Sequence, residues 1–251
     1  MTKTRLLLSF ASLLLSILWA LQPVAAAPVV APQDQARLER LLSEVERMVT
    51  DTRHMTGLSR LDARVRQALL QVPRHQFVPS RQRRSAYDNR PLSIGYGQTI
   101  SQPYIVALMT ALLELEPQHR VLEVGTGSGY QAAVLSPLVE RVFSIEVIAP
   151  LAEQASERLR RLGFVNVISR QGDGYFGWPE EAPFDAIMVT AAAGHVPPPL
   201  IEQLRPGGRM VIPVGGRFMT QQLLLVEKNA TGQVQVRQLL PVAFVPLTGD
   251  H

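Results

Sequence analysis

Three glycines at alternate positions, Gly125, Gly127 and Gly129, follow the short apolar run Val121 to Val124. An acid, Glu123, stands two residues before the first of them. Glycine tolerates positive φ and lacks a Cβ, so a ligand can come close to the backbone. Residues 131 to 138 read as a helix, whose start offers free N–H groups and the positive end of a dipole. Strand, tight turn and helix together make a nucleotide-type site at the carboxyl edge of a parallel sheet. The dinucleotide fingerprint is G-x-G-x-x-G. Here the spacing is G-x-G-x-G, and Tyr130 stands where the third dinucleotide glycine belongs. Glu123 is unlike a site built for pyrophosphate and suits a cationic ligand. S-adenosyl-L-methionine, with a sulfonium, an ammonium and no phosphate, meets that description.

Two further acids extend this reading. Val142 to Glu146 reads as the next strand, and the Glu146 carboxylate at its end could bind both ribose hydroxyls. An acid at this place is shared with nicotinamide sites, so it signals an adenosine nucleoside and no more. Asp173, between Gly172 and Gly174, could accept from an adenine amino group while Gly174 lets the ring lie close. An Asp-Gly turn with no ligand is the plain alternative. Ser101 lies in a long Gly, Pro and polar segment, Ala86 to Pro103, with no helical or strand period. Long irregular segments within compact domains tend to be functional. Pro103 suits the first position of a helix, so Ser101 reads equally as a cap or as a catalytic hydroxyl.

The elements that must hold these groups follow from pattern. Strands at 121–124, 142–146, 165–169, 184–190 and 209–213 alternate with helices at 105–112, 131–138, 151–162 and 200–204. Two later strands, 222–227 and 233–240, read as an antiparallel pair, and 244–247 as a closing strand. Residues 206–208 read as a turn. This is an α/β, doubly wound, Rossmann-like sheet, mostly parallel, with antiparallel additions at one side. Leu38, Leu41, Leu42, Val45, Met48 and Val49 form one face of an amphipathic helix, and Leu61, Val65, Ala68 and Leu69 form a second. These are N-terminal helices that cap the main domain.

Residues 1–27 read as a secretory signal peptide, with Lys3 and Arg5, an apolar run from Leu6 to Leu21, and the small residues Ala25 to Ala27. Residues 28–36 read as a linker. A single domain then fills 37–251, with 37–104 as the helical cap and active-site segment and 105–251 as the Rossmann-like core. A signal peptide places the mature chain in the periplasm. Without one it would be cytoplasmic.

The 251 residues are 46% hydrophobic and 18% charged, the composition of a globular chain. The net charge of +4 falls by two if Lys3 and Arg5 leave with the signal, too little to argue for nucleic acid. There is no cysteine, which excludes disulfides, thiolate metal sites and a thiol nucleophile. The five histidines show no ligand spacing, and no metal site is expected. No exposed apolar stripe beyond the capping helices marks a subunit interface, so a monomer is expected. A cleaved signal leaves no stable membrane insertion.

From about Met48 to Thr248 the chain resembles protein-L-isoaspartate O-methyltransferases. The resemblance rests on VPRHQFVP at 72–79, IGYGQTISQPY at 94–104, LEVGTGSGYQ at 122–131, GDG at 172–174, LRPGG at 204–208 and VPLT at 245–248. It implies a class I S-adenosylmethionine-dependent methyltransferase with a seven-stranded sheet. The implied reaction is methyl esterification of isoaspartyl carboxyls in damaged proteins and peptides, a repair that proceeds through a succinimide. It also implies that Ser101 is the active-site serine. The cofactor contacts it implies are Thr99, Ser101, Gly125, Gly127, Glu146, Asp173, Gly174 and Thr248. A carboxylate with a pKa near 4 is ionised at pH 7 and needs no general base. None is evident between Gln98 and Pro103. Two alternatives stand beside this reading: an exported Rossmann-like methyltransferase with another acceptor, and a non-catalytic protein that binds an adenosyl ligand. A nicotinamide dehydrogenase fails on glycine spacing.

Overall fold

The computed structural model describes residues 32–216 and 219–249. The signal peptide expected at residues 1–27 therefore lies outside the described residues. Seven strands form the central sheet: β3 (Arg120–Val124), β4 (Arg141–Glu146), β5 (Val167–Gln171), β6 (Phe184–Val189), β7 (Leu204–Val214), β8 (Gln221–Lys228) and β9 (Val234–Val242). Their spatial order is β5-β4-β3-β6-β7-β8-β9. Pairing is parallel from β5 to β7 and antiparallel for β7–β8 and β8–β9. The chain runs outward from β3 through β4 to β5, then returns to the other side of β3 with β6. That reversal is the topological switch point at which doubly wound sheets open a ligand crevice.

Alternation along each buried strand divides the core in two. Leu122, Val124, Phe143, Ile145, Ile187 and Val189 pack on one face with Phe184 and Trp178. Val121, Val142, Ala186 and Met188 pack on the other, beneath helices α4 (Pro103–Leu112) and α5 (Tyr130–Leu135). Helix α4 is apolar nearly all round, because α1 (Pro32–Asp51) and α3 (Ala63–Gln71) cover its outer side. The predicted stripe of α1 is its buried face: Leu38, Leu42, Val45 and Val49 are each no more than 1% exposed. A short helix, α2 (Arg53–Thr56), ends at Gly57 in the left-handed region. Among the described residues no helix is long and apolar enough to cross a membrane.

The structure corrects several expectations. Helix α1 starts at Pro32, so residues 32–36 are helical rather than linker. Proline fits there because a first-turn N–H has no helical partner. Strand β5 starts at Val167, two residues late, because the Phe164 N–H closes helix α6 (Ala149–Arg161) by donating to the Leu159 carbonyl at 3.0 Å. The turn at 206–208 is a bulge inside β7, where the register jumps from Leu204 to Arg209. Helix α5 stops at Leu135, and Pro137 sits in a short 3₁₀ turn.

Two corrections bear on the site. Residues 92–100 are not irregular: β1 (Leu92–Gly95) and β2 (Gln98–Ile100) form a hairpin about Tyr96 and Gly97. Residues 244–247 are not a strand of the sheet. They form a strap tied to Ala192, which donates to Val245 O at 2.8 Å and accepts from Leu247 N at 2.7 Å. Pro246 has no N–H and cannot extend a ladder.

Candidate active site

The cavity opens at the carboxyl ends of β3, β4 and β6, at the switch point. The glycine loop and Glu146 form its floor, Gln98 to Ser101 one wall, and the strap from Val245 to Thr248 another. Thr99, Ser101, Gly125, Gly127, Glu146, Gly174 and Thr248 all line it, so the structure brings seven predicted site residues together.

The glycine loop is tied down on both sides. Gly125 and Thr126 N–H groups both donate to Ile145 O, at 2.8 and 3.1 Å, which fixes the turn to β4. Thr190 at the end of β6 donates its hydroxyl to Val124 O and Gly125 O at 3.0 and 2.6 Å. Gly125 has φ +100°, and a Cβ there would meet Thr190 Oγ1 at 2.5 Å. Only glycine fits. Thr190 went unrecognised as part of the site. Its one sequence signal is a hydroxyl directly after a buried strand.

Glu146 is 5% exposed and held by two backbone amides: Gly127 N–H donates to Oε2 at 2.7 Å and Ile148 N–H to Oε1 at 3.0 Å. A carboxylate so oriented needs no rearrangement before it meets a ligand. It is the sole charged side chain in the cavity lining among the described residues. Among the described residues no lysine or arginine lines the cavity to take a phosphate, so the donor set fits a cationic adenosyl nucleoside and not a dinucleotide.

Glu123 is not a ligand group. It is fully buried on the α5 face of β3, beside its register partner Ser144 and away from the lining. The Ser144 hydroxyl is hydrogen-bonded to Glu123 Oε2 at 2.5 Å and to the Thr126 hydroxyl at 2.6 Å. Burial pushes the Glu123 carboxyl up to about 8, so at neutral pH it is mostly protonated and braces the loop as a neutral group. Asp173 directly precedes the lining residue Gly174 and is not itself in the lining; its Oδ1 accepts from Tyr175 N–H at 2.9 Å. It caps the turn that sets Gly174, whose missing Cβ leaves room for Val124.

Ser101 is not a helix cap. The N-cap of α4 is Gln102, and it makes no side-chain capping bond. Asn89 takes that role, with Oδ1 accepting from Tyr104 N–H at 3.1 Å. Ser101 thus faces the cavity, with its carbonyl oxygen accepting from Arg74 Nη2 at 2.7 Å. The buried Arg74 was also missed, because nothing in its spacing distinguishes it from a surface arginine.

A sequence profile of the protein-L-isoaspartate(D-aspartate) O-methyltransferase family matches residues 44–251. The chain is 57% identical to protein-L-isoaspartate O-methyltransferase 2 of Syntrophobacter fumaroxidans, over 94% of this chain and 96% of that one. It is 63% identical to the protein of the same name from a Polaromonas species, over 84% of this chain and all of that one. Among solved structures it is similar to a protein-L-isoaspartate O-methyltransferase with TM-score 0.74 and 30% identity, over 85% of this chain and 66% of that one. A Plasmodium falciparum structure described as this type of enzyme, in complex with S-adenosyl-L-homocysteine, gives TM-score 0.67 at 27% identity, over 85% and 97% of the two chains.

Proposed function

The chain belongs to the protein-L-isoaspartate O-methyltransferase family, and on that premise we propose how its site works and where it acts. The protein esterifies the carboxyl of L-isoaspartyl residues in damaged proteins, with S-adenosyl-L-methionine as methyl donor. When bound, that cofactor supplies an electrophilic methyl group on a sulfonium. Glu146 holds its ribose hydroxyls, and Gly125 and Gly127 let it lie against the backbone. Gly174 and Thr99 pack beside it, and Thr248 closes over it from the strap. Ser101 holds the acceptor carboxylate in line with the methyl.

The observation that carries this reading is the composition of the cavity: Ser101 on one wall, the buried Glu146 on the floor, and no histidine or lysine in the lining among the described residues. A site without a general base suits an acceptor that is already an anion at neutral pH. What the protein provides is alignment and exclusion of water. The methyl ester activates the side-chain carbonyl. The neighbouring backbone nitrogen attacks that carbon, the C–O bond breaks with loss of methanol, and the succinimide so formed is opened by water to aspartyl or isoaspartyl.

Incubating the full chain with methyl-labelled cofactor and an isoaspartyl peptide tests the chemistry. A label lost in mild base is an ester and is expected. A base-stable label would mean methylation at nitrogen or carbon and would overturn the reading.

The basic start, apolar run and alanines of residues 1–27 support export to the periplasm and action on extracytoplasmic proteins. Cell fractionation with N-terminal sequencing checks this. A periplasmic chain starting near Pro28 is expected, and an intact cytoplasmic chain would contradict it.

A further inference from the structure

The methyl-transfer chemistry leaves one buried charge without a task. Arg74 opens a short 3₁₀ turn, Arg74–Phe77, and its side chain is 0% exposed. Burial lowers its pKa only to about 10, so the guanidinium is charged at neutral pH. A buried charge without a counter-charge is strongly unfavourable. The groups that act on this one are the phenols of Tyr130 and Tyr87, and no carboxylate among the described residues pairs with it. Its Nη1 has no hydrogen-bond partner.

The bonds that Arg74 does make join three separate pieces of chain. Its Nε donates to Ala86 O at 2.9 Å and its Nη2 to Ser101 O at 2.7 Å. The guanidinium lies over the Tyr130 ring, 4.9 Å from the centroid. Tyr130 is the first residue of α5 after the glycine loop, and both Tyr130 and Ser101 line the cavity. One side chain therefore sets the distance between the acceptor wall and the cofactor floor.

We infer that Arg74 is a positioning residue for the acceptor: from behind the cavity wall it fixes Ser101 against the glycine loop, and its positive charge favours the substrate carboxylate that docks beside Ser101. This rests on the isoaspartyl reading above. A lysine at 74 would keep the charge but could not hold both carbonyls. A methionine would keep the bulk and lose the charge.

The test uses the full chain with Arg74→Lys and Arg74→Met. Turnover and KM for an isoaspartyl peptide are measured beside cofactor affinity by calorimetry and the thermal midpoint. Arg74→Met is expected to lose about 100-fold in kcat/KM for the peptide, with cofactor affinity within about threefold of the parent. Millimolar guanidinium should restore part of that activity. Arg74→Lys is expected to lose about tenfold, with KM for the peptide raised. Parent-like kinetics in either variant would overturn the inference. So would a loss of cofactor affinity that matches the loss of turnover and is not rescued by guanidinium. If Arg74→Met fails to fold, Arg74→Lys decides alone. A parent enzyme that binds cofactor but leaves the isoaspartyl peptide unmethylated would sink the substrate reading and this inference together. An active parent separates the two.

Discussion

Glu123 and Glu146 lie near the carboxyl ends of neighbouring strands and on the same face of the sheet, but Glu123 pairs in register with Ser144 and so sits two residues deeper. Glu146 meets two amide donors at the cavity and keeps a charge-binding geometry. Replacing it by glutamine removes charge-assisted hydrogen bonds worth about 1.5–3 kcal/mol. Cofactor affinity should therefore fall roughly 10- to 100-fold in a calorimetric titration. Glu123 is governed by burial, and its prediction concerns pH. An unfolded glutamate titrates near 4.5, whereas the folded group titrates at about 8. Between those values the native state binds the extra proton, so stability falls as pH rises through this window. Glu123→Gln should flatten the decline of the thermal midpoint between pH 5 and 8, and an unaltered slope would refute the assignment. Ser101→Ala should lower turnover by about 100-fold, as loss of one preorganised donor does, with the thermal midpoint unchanged because the hydroxyl caps no helix.

At the scale of elements, the glycine loop is the best-determined piece. Gly125→Ala would force a Cβ against the Thr190 hydroxyl at a φ of +100°. A destabilisation of about 1–3 kcal/mol is expected from that backbone strain, visible in denaturant unfolding, with cofactor affinity reduced as well. The core strands and this loop were legible because their signals are local: an apolar run, a glycine turn, a helix. The depth that keeps Glu123 from the ligand was legible only once the register was known, since Glu123 pairs with Ser144, two residues before Glu146 on the same face. The hairpin at 92–100 was hidden because its strands are too short for alternation to register. The strap at 245–248 was hidden because its partner is Ala192, far away in sequence, and its shape is set by a proline. Arg74 and Thr190 were hidden for a related reason: their roles are contacts with distant backbone carbonyls.

Taken whole, the molecule builds its site from two bodies of structure. The sheet ends supply the cofactor floor, and the helical cap with its hairpin supplies the acceptor wall. Helix α1 therefore does more than cover α4, since its Glu44 accepts from the Asn89 side chain at 3.0 Å in the segment that carries Ser101. The family match spans both bodies, from residue 44 to residue 251, so floor and wall belong to one functional unit. The measurement that tests the account most directly uses two peptides, identical except for one aspartyl residue in normal or isoaspartyl linkage. Each is incubated with the full chain and methyl-labelled S-adenosyl-L-methionine. Label on the isoaspartyl peptide alone is the predicted result. Equal labelling of both peptides, or none on either while the cofactor still binds, would contradict it.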